Sequence, residues 1–72
     1  KSCRPIINIH IMLRLMEKGY FSESEVISNL GVSRSSFFRS ISDIRCYLQE
    51  YQPEKELVFD PDEGIYRLKK WE

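Results

Sequence analysis

The residues best suited to chemistry lie along the segment Ser33–Leu48, which reads SRSSFFRSISDIRCYL. Its apolar residues recur at helical spacing and predict an α-helix; they are Phe37, Ile41, Ile44 and Leu48. The opposite face is mostly small hydroxyls and arginines: Ser35, Ser36, Arg39, Ser42 and Asp43, flanked by Arg34, Phe38 and Arg45. Such side chains hydrogen-bond to phosphates and base edges without blocking close approach, so this face predicts nucleic-acid binding.

Other chemistry finds little support in the sequence. His10 has no Cys, Asp or second His at ligand spacing, and the two cysteines, Cys3 and Cys46, show no metal-binding pattern. The carboxylates between Glu50 and Glu63 have no histidine beside them, which indicates a solvated acidic surface. We therefore expect no enzymatic activity, no metal, no cofactor and two reduced thiols.

The segment before this helix predicts a helix-turn-helix. In FSESEVISNLGVS, Ser22 and Glu25 form a capping-box pattern that opens a short helix. Gly31 supplies the left-handed backbone that ends it, and Ser33 caps the next helix. Ser33–Leu48 is then the recognition helix, which enters the major groove of double-stranded DNA.

The first predicted helix, Arg4–Lys18, carries two apolar stripes. We expect one to face the core; it consists of Ile6, Ile9, Leu13 and Met16, widened by Met12. The second stripe consists of Ile7, Ile11 and Leu15. It is either covered by the C-terminal strands, which we favour, or exposed for a second copy or the rest of a parent protein.

The C-terminal part predicts a β-hairpin and so completes the fold. Strands Leu57–Phe59 and Ile65–Leu68 flank the turn 60–64, which is DPDEG. Three helices followed by a two-stranded wing define an α+β winged helix. The expected core is Ile6, Ile9, Leu13, Met16, Val26, Ile27, Leu30, Phe37, Ile41, Ile44, Leu48, Phe59, Tyr66 and Leu68.

Seventy-two residues make one domain, residues 1–72. Because the chain begins at Lys1 and ends at Glu72 after a strand-like run, we expect a domain taken from a longer regulator. The net charge is zero, which counts against indiscriminate nucleic-acid binding. The charges are segregated, with arginines along Ser33–Leu48 and acids along 50–64. The sequence has no membrane-spanning run and no signal peptide, so we expect no membrane partner and a cytoplasmic location.

The run FSESEVISNLGVSRSSFFRSISDIR, followed by GIYRL, resembles the N-terminal winged helix of bacterial DeoR-like and WYL-domain transcriptional regulators. The resemblance implies that the helix enters operator DNA and that a C-terminal effector or dimerising domain follows. On that basis Ser33, Arg34, Ser35 and Ser36 approach the DNA, and Arg39 holds a phosphate or base edge. The sequence departs from the family at Ser40, where an aspartate is common, and at its acidic wing tip.

Two lysines and one aromatic residue are further candidates for DNA contact. Lys69 and Lys70 are candidates for phosphate contacts, and Phe38 is either half-buried or in contact with a thymine methyl. Two functions remain open. The first is sequence-specific DNA binding in a transcriptional regulator, with a possible homodimer. The second is a winged-helix protein–protein interaction module, favoured by the zero net charge and the acidic wing.

Overall fold

A computed structural model describes residues 4–70, apart from the side chain of Arg4, and it confirms the α+β winged-helix prediction. The elements are α1 (Arg4–Lys18), β1 (Tyr20–Ser22), α2 (Glu23–Leu30), α3 (Arg34–Tyr51), β2 (Lys55–Asp60) and β3 (Ile65–Lys70). Helix α3 continues one turn beyond the predicted end at Leu48, as far as Tyr51. Cys3 lies outside the described residues.

The sheet has three antiparallel strands in the order β1-β3-β2, so the wing carries one strand more than predicted. Strand β1 has only three residues and pairs Phe21 with Tyr66 of β3. Strand β2 pairs with the other edge of β3, where Leu57 lies opposite Leu68 and Phe59 opposite Tyr66. Tyr20–Ser22 thus links α1 to the hairpin, and short strands of this kind leave almost no periodicity in a sequence.

The stripe of α1 that we expected to face the core is exposed, and the second stripe, which we expected to be covered, is the one that enters the core. Ile7, Ile11 and Leu15 are buried. The predicted core stripe is instead exposed: Ile6 56%, Ile9 60%, Leu13 55% and Met16 78%. The two stripes lie on opposite sides of one helix, and only the buried one packs into the core shared with α3. Periodicity identifies both stripes but cannot say which of them meets α3.

The remaining core differs from the prediction at single positions. Phe59 is exposed on β2, which is an edge strand of the sheet, although its ring centroid lies 4.8 Å from that of Tyr66. Phe21, Val32 and Leu57 are buried and were not predicted. The core residues of α3 are buried as expected, with Ile27, Leu30 and Leu68 packed partly buried against them.

The predicted caps and turns are confirmed. The Ser22 hydroxyl accepts a hydrogen bond from Glu25 N at 3.3 Å and begins α2. Gly31 ends α2 with φ +63° and ψ +36°, the left-handed conformation that a residue with a Cβ adopts at a cost. Ser33 then caps α3 by accepting from Ser36 N at 3.1 Å. The turn between α2 and α3 is therefore set by local hydrogen bonds and one glycine.

Candidate nucleic-acid interface

The N-terminal half of α3 rests on a cluster of three aromatic rings. Phe37 of α3 packs edge-to-face against Phe21 of β1, with ring centroids 6.2 Å apart, and against Tyr66 of β3 at 5.8 Å. Phe21 and Tyr66 stack at 5.2 Å. All three residues are buried. Aromatic contacts of this kind stabilise the core beyond their area, so they hold the first turns of α3 rigidly against the sheet.

The first turn of α3 is fixed by its own serines. Besides capping the helix, the Ser33 hydroxyl lies 3.1 Å from the Ser36 hydroxyl, which accepts its hydrogen bond. Ser33 and Ser35 are exposed, whereas Ser36 is half-buried. Ser35 therefore presents its hydroxyl outwards, while the hydroxyls of Ser33 and Ser36 are engaged with each other.

Arg34 is exposed at the N-terminus of α3 and is held by Glu23 of α2. Its Nε and Nη2 donate to one carboxylate oxygen, Glu23 Oε2, at 3.3 and 3.2 Å. The Arg34 side chain is 76% exposed, whereas that of Glu23 is only 14% exposed. Glu23 is thus the fixed member of this ion pair, and Arg34 projects from it into solvent.

Arg39 and Phe38 complete the outer face of these turns. Arg39 is exposed and forms no ion pair within residues 4–70. Phe38 is partly exposed, with its ring edge-on to Phe37 at 5.5 Å. Ser33, Arg34, Ser35, Ser36, Phe38 and Arg39 therefore all belong to the N-terminal turns of α3. We call these six residues the α3 reading face.

Asp43, which the sequence places on the outer face, and Arg45, which it places beside that face, both form hydrogen bonds to other elements of the domain. Asp43 accepts a hydrogen bond from Asn8 Nδ2 of α1 at 3.4 Å, and it therefore belongs to the α1–α3 junction. Arg45 donates from Nη2 to the carbonyl oxygen of Leu57 at 3.3 Å, which ties α3 to β2. Both side chains therefore hold neighbouring elements to α3.

Lys69 and Lys70 lie at the other end of the domain. The β2–β3 turn is near the reading face, because Gly64 O accepts from Glu23 N at 3.3 Å. Strand β3 then runs from Ile65 to Lys70, roughly 17 Å at the usual rise per residue. There Lys70 pairs with Lys55, whose amide bonds to Gln52 O just beyond α3. The structure does not bring these lysines together with the reading face.

The acidic β2–β3 turn is partly neutralised from within. Asp60 Oδ1 accepts from Asp62 N at 3.0 Å and shapes the turn, and Asp60 Oδ2 accepts from Arg67 Nη2 at 3.3 Å. Asp62 and Glu63 are exposed at the tip. Two carboxylates therefore face solvent on the side of the domain that carries the reading face.

The phenol of the buried Tyr66 interacts electrostatically with Glu23 of α2 and Arg45 of α3. Burial and the nearby Glu23 carboxylate raise the pKa of the Tyr66 phenol above its usual value, and Arg45 partly offsets that rise. The Glu23 carboxylate thus interacts with Arg34 on one side and with Tyr66 on the other. The sequence analysis missed Glu23, because its role depends on contact with Arg34, eleven residues further along the chain. The available signal was an acidic residue directly after the capping Ser22.

The geometry defines a helix-turn-helix with an exposed N-terminal face on its second helix. Residues 4–54 match the Mga helix-turn-helix domain, and the chain belongs to that family. The match supports DNA binding and does not confirm the finer resemblance to DeoR-like and WYL-domain regulators. No curated protein and no solved structure matches the chain.

Within residues 4–70, no three His, Cys, Asp or Glu side chains lie close enough together to hold a metal ion. No helix of the same segment is long and apolar enough to cross a membrane.

Proposed function

We propose that this domain binds double-stranded DNA sequence-specifically, as the reader of a transcriptional regulator, with the first turns of α3 in the major groove. The observation that carries the proposal is the reading face itself. Hydroxyls and guanidinium groups are exposed on one side of a helix end whose other side rests on buried aromatic rings. Recognition helices use their N-terminal residues in this way.

The residues have separate roles in this proposal. Arg34, oriented by Glu23, reads a base edge, since a guanidinium fork matches the acceptors of guanine. Arg39 binds a phosphate, and Ser33, Ser35 and Ser36 allow close approach. Phe38 is the candidate for contact with a thymine methyl. Lys69 and Lys70 bind phosphate only where the duplex extends or bends towards the far end of the sheet.

The resemblance to DeoR-like and WYL-domain regulators extends this proposal to a bacterial regulator with a C-terminal effector domain. The second candidate function is a protein-interaction module. It is favoured by the exposed carboxylates of Asp62 and Glu63, which repel phosphates, and by the zero net charge. The reading face favours DNA, because an interaction module does not require hydroxyls and arginines at the end of α3.

The deciding experiment is a titration of the ¹⁵N-labelled chain with a short mixed-sequence duplex at low and at higher salt. We expect amide shifts concentrated at Ser33–Ser40 that fade as salt rises. Arg39→Gln should weaken binding about tenfold and reduce the salt slope by about one. Lys18→Gln, which removes the same charge at the end of α1, should retain more of the affinity. Shifts absent from Ser33–Ser40 would instead support the interaction module.

A further inference from the structure

The exposed stripe of α1 leaves this helix with two apolar faces, of which the domain uses one. Ile6, Ile9, Leu13 and Met16 point away from the core that Ile7, Ile11 and Leu15 enter. All four side chains are more than half exposed. Contiguous apolar surface of this kind is uncommon on monomeric domains and marks interaction sites.

The spacing of the stripe is that of a helix–helix seam. Its members follow one another at intervals of three, four and three residues, which are the a and d positions of a heptad. A face that merely tolerates apolar residues has no reason to keep this register over eleven residues. The stripe therefore matches the surface of another helix.

The apolar surface continues from α1 onto α3. Met12 and Met16 of α1 line a groove together with Tyr47 of α3. The ring of Tyr47 lies 5.0 Å from that of Tyr51, one turn further along, and these tyrosines are 46% and 72% exposed. We call the six exposed residues the α1 surface: Ile6, Ile9, Leu13, Met16, Tyr47 and Tyr51.

The size of the α1 surface is that of one side of a stable interface. At roughly 200 Å² for a large side chain, the exposed fractions amount to roughly 700 Å² per copy. Stable interfaces bury about 800 Å² per partner. None of the six is an acidic or basic residue, and the chain has a net charge of zero, so pairing the six side chains themselves opposes no charges.

We infer that the α1 surface pairs with the same surface of a second copy about a two-fold axis, with the two α1 helices antiparallel. This direction places Ile6 opposite Met16 of the second copy and Ile9 opposite Leu13. It also opposes the helix dipoles and separates the two Lys18 side chains, which a parallel pairing would set side by side. The α1 surface contains no residue of the reading face, so the inference does not depend on DNA binding.

Sedimentation equilibrium over a wide range of concentrations tests the pairing. The unchanged chain should pass from monomer to dimer as its concentration rises. Ile9→Glu should weaken dimerisation more than tenfold, because it places a carboxylate in the seam. Ser28→Glu adds the same charge at an exposed position of α2 and should leave the dimer intact. A chain that stays monomeric up to millimolar concentration, or dimers indifferent to Ile9→Glu, would overturn the inference.

Cross-linking tests the direction of the pairing without relying on a weakened variant. In a chain with Cys3→Ser and Cys46→Ser, Ile9→Cys and Leu13→Cys are made separately and then mixed under oxidation. Antiparallel pairing predicts more disulfide in the mixture than in either variant alone. More disulfide in the Ile9→Cys variant alone than in the mixture would instead mean parallel helices and would refute the proposed arrangement.

Discussion

Arg34 and Glu23 join the two helices of the helix-turn-helix through two hydrogen bonds to a single carboxylate oxygen, Glu23 Oε2. Because the guanidinium is largely exposed, the pair contributes little to stability, about 1 kcal/mol at most. Its effect is on direction. The carboxylate is fixed in the first turn of α2, and the guanidinium of Arg34 is thereby held at one place on the reading face.

Replacing Glu23 by Gln separates the effect of its negative charge on DNA affinity from its effect on the orientation of Arg34. Glu23→Gln removes a negative charge beside the reading face, so affinity for a duplex of arbitrary sequence should rise a few-fold. Discrimination between a selected duplex and a scrambled one should fall by a similar factor, because Arg34 loses its ionic anchor. Fluorescence anisotropy with both duplexes measures the two quantities, after the preferred sequence has been selected from a random pool.

Glu25→Gln is the matched control for that experiment, since it removes the same charge from an exposed position in the same turn of α2. It should raise general affinity without reducing discrimination. If Glu23→Gln strengthens binding to both duplexes equally, Glu23 acts through charge alone and does not orient Arg34.

The two leucines of α1 test which stripe belongs to the core. Leu15→Ala should lower the free energy of unfolding by about 2–4 kcal/mol, because it empties a buried position. Leu13→Ala is the same change two residues away on the exposed stripe and should cost under about 1 kcal/mol. Urea unfolding followed by circular dichroism, at concentrations where the chain is monomeric, measures both. Equal losses would contradict the assignment of the stripes.

The sequence predicts what is determined locally. The bounds of α1, the caps at Ser22 and Ser33, and the left-handed Gly31 depend on a few neighbouring residues and are confirmed. The side of α1 that faces inwards is determined by α3 and the sheet, so the choice between two equally apolar stripes, made from periodicity alone, was wrong. Strand β1 exists because Phe21 pairs with Tyr66, forty-five residues later.

The candidate interface divides in the same way. The residues of the reading face lie in the N-cap and the first two turns of one helix, so the predicted helix alone is enough to bring them together. Lys69 and Lys70 were added for their charge, and only the length and direction of β3 separate them from that face. Glu23 was missed because its importance arises from a contact between two helices. Local sequence patterns therefore identify the helix face, whereas the residues around that face can be identified only from the tertiary structure.

Gly31 should tolerate Asn better than Ala. Apart from Gly31 and its two chain neighbours, no heavy atom of the described residues lies within 4 Å of where a Cβ would stand, so the cost of substitution comes from the backbone conformation. Gly31→Ala should destabilise the domain by about 1–2 kcal/mol, because an alanine resists positive φ. Asn adopts this conformation more readily, so Gly31→Asn should cost less. Chemical denaturation of the two variants measures both losses of stability. A Gly31→Val variant as stable as the parent would mean that the turn does not require positive φ.

Tyr66 should make the domain sensitive to alkaline pH. Burial and the Glu23 carboxylate raise the pKa of its phenol in the folded state, whereas the unfolded chain titrates near the ordinary value of about 10. Below that value both states keep the proton and stability is unaffected. As pH rises above about 10, the unfolded state loses its proton first, and folding stability falls until the folded phenol also ionises.

Tyr66→Phe keeps the ring and removes the ionisable group, so the variant should lose less stability between pH 9 and 11, a range that brackets the ordinary phenol pKa of about 10. Thermal unfolding of both proteins across that range measures the difference, and parallel declines would show that Tyr66 contributes nothing to the alkaline loss.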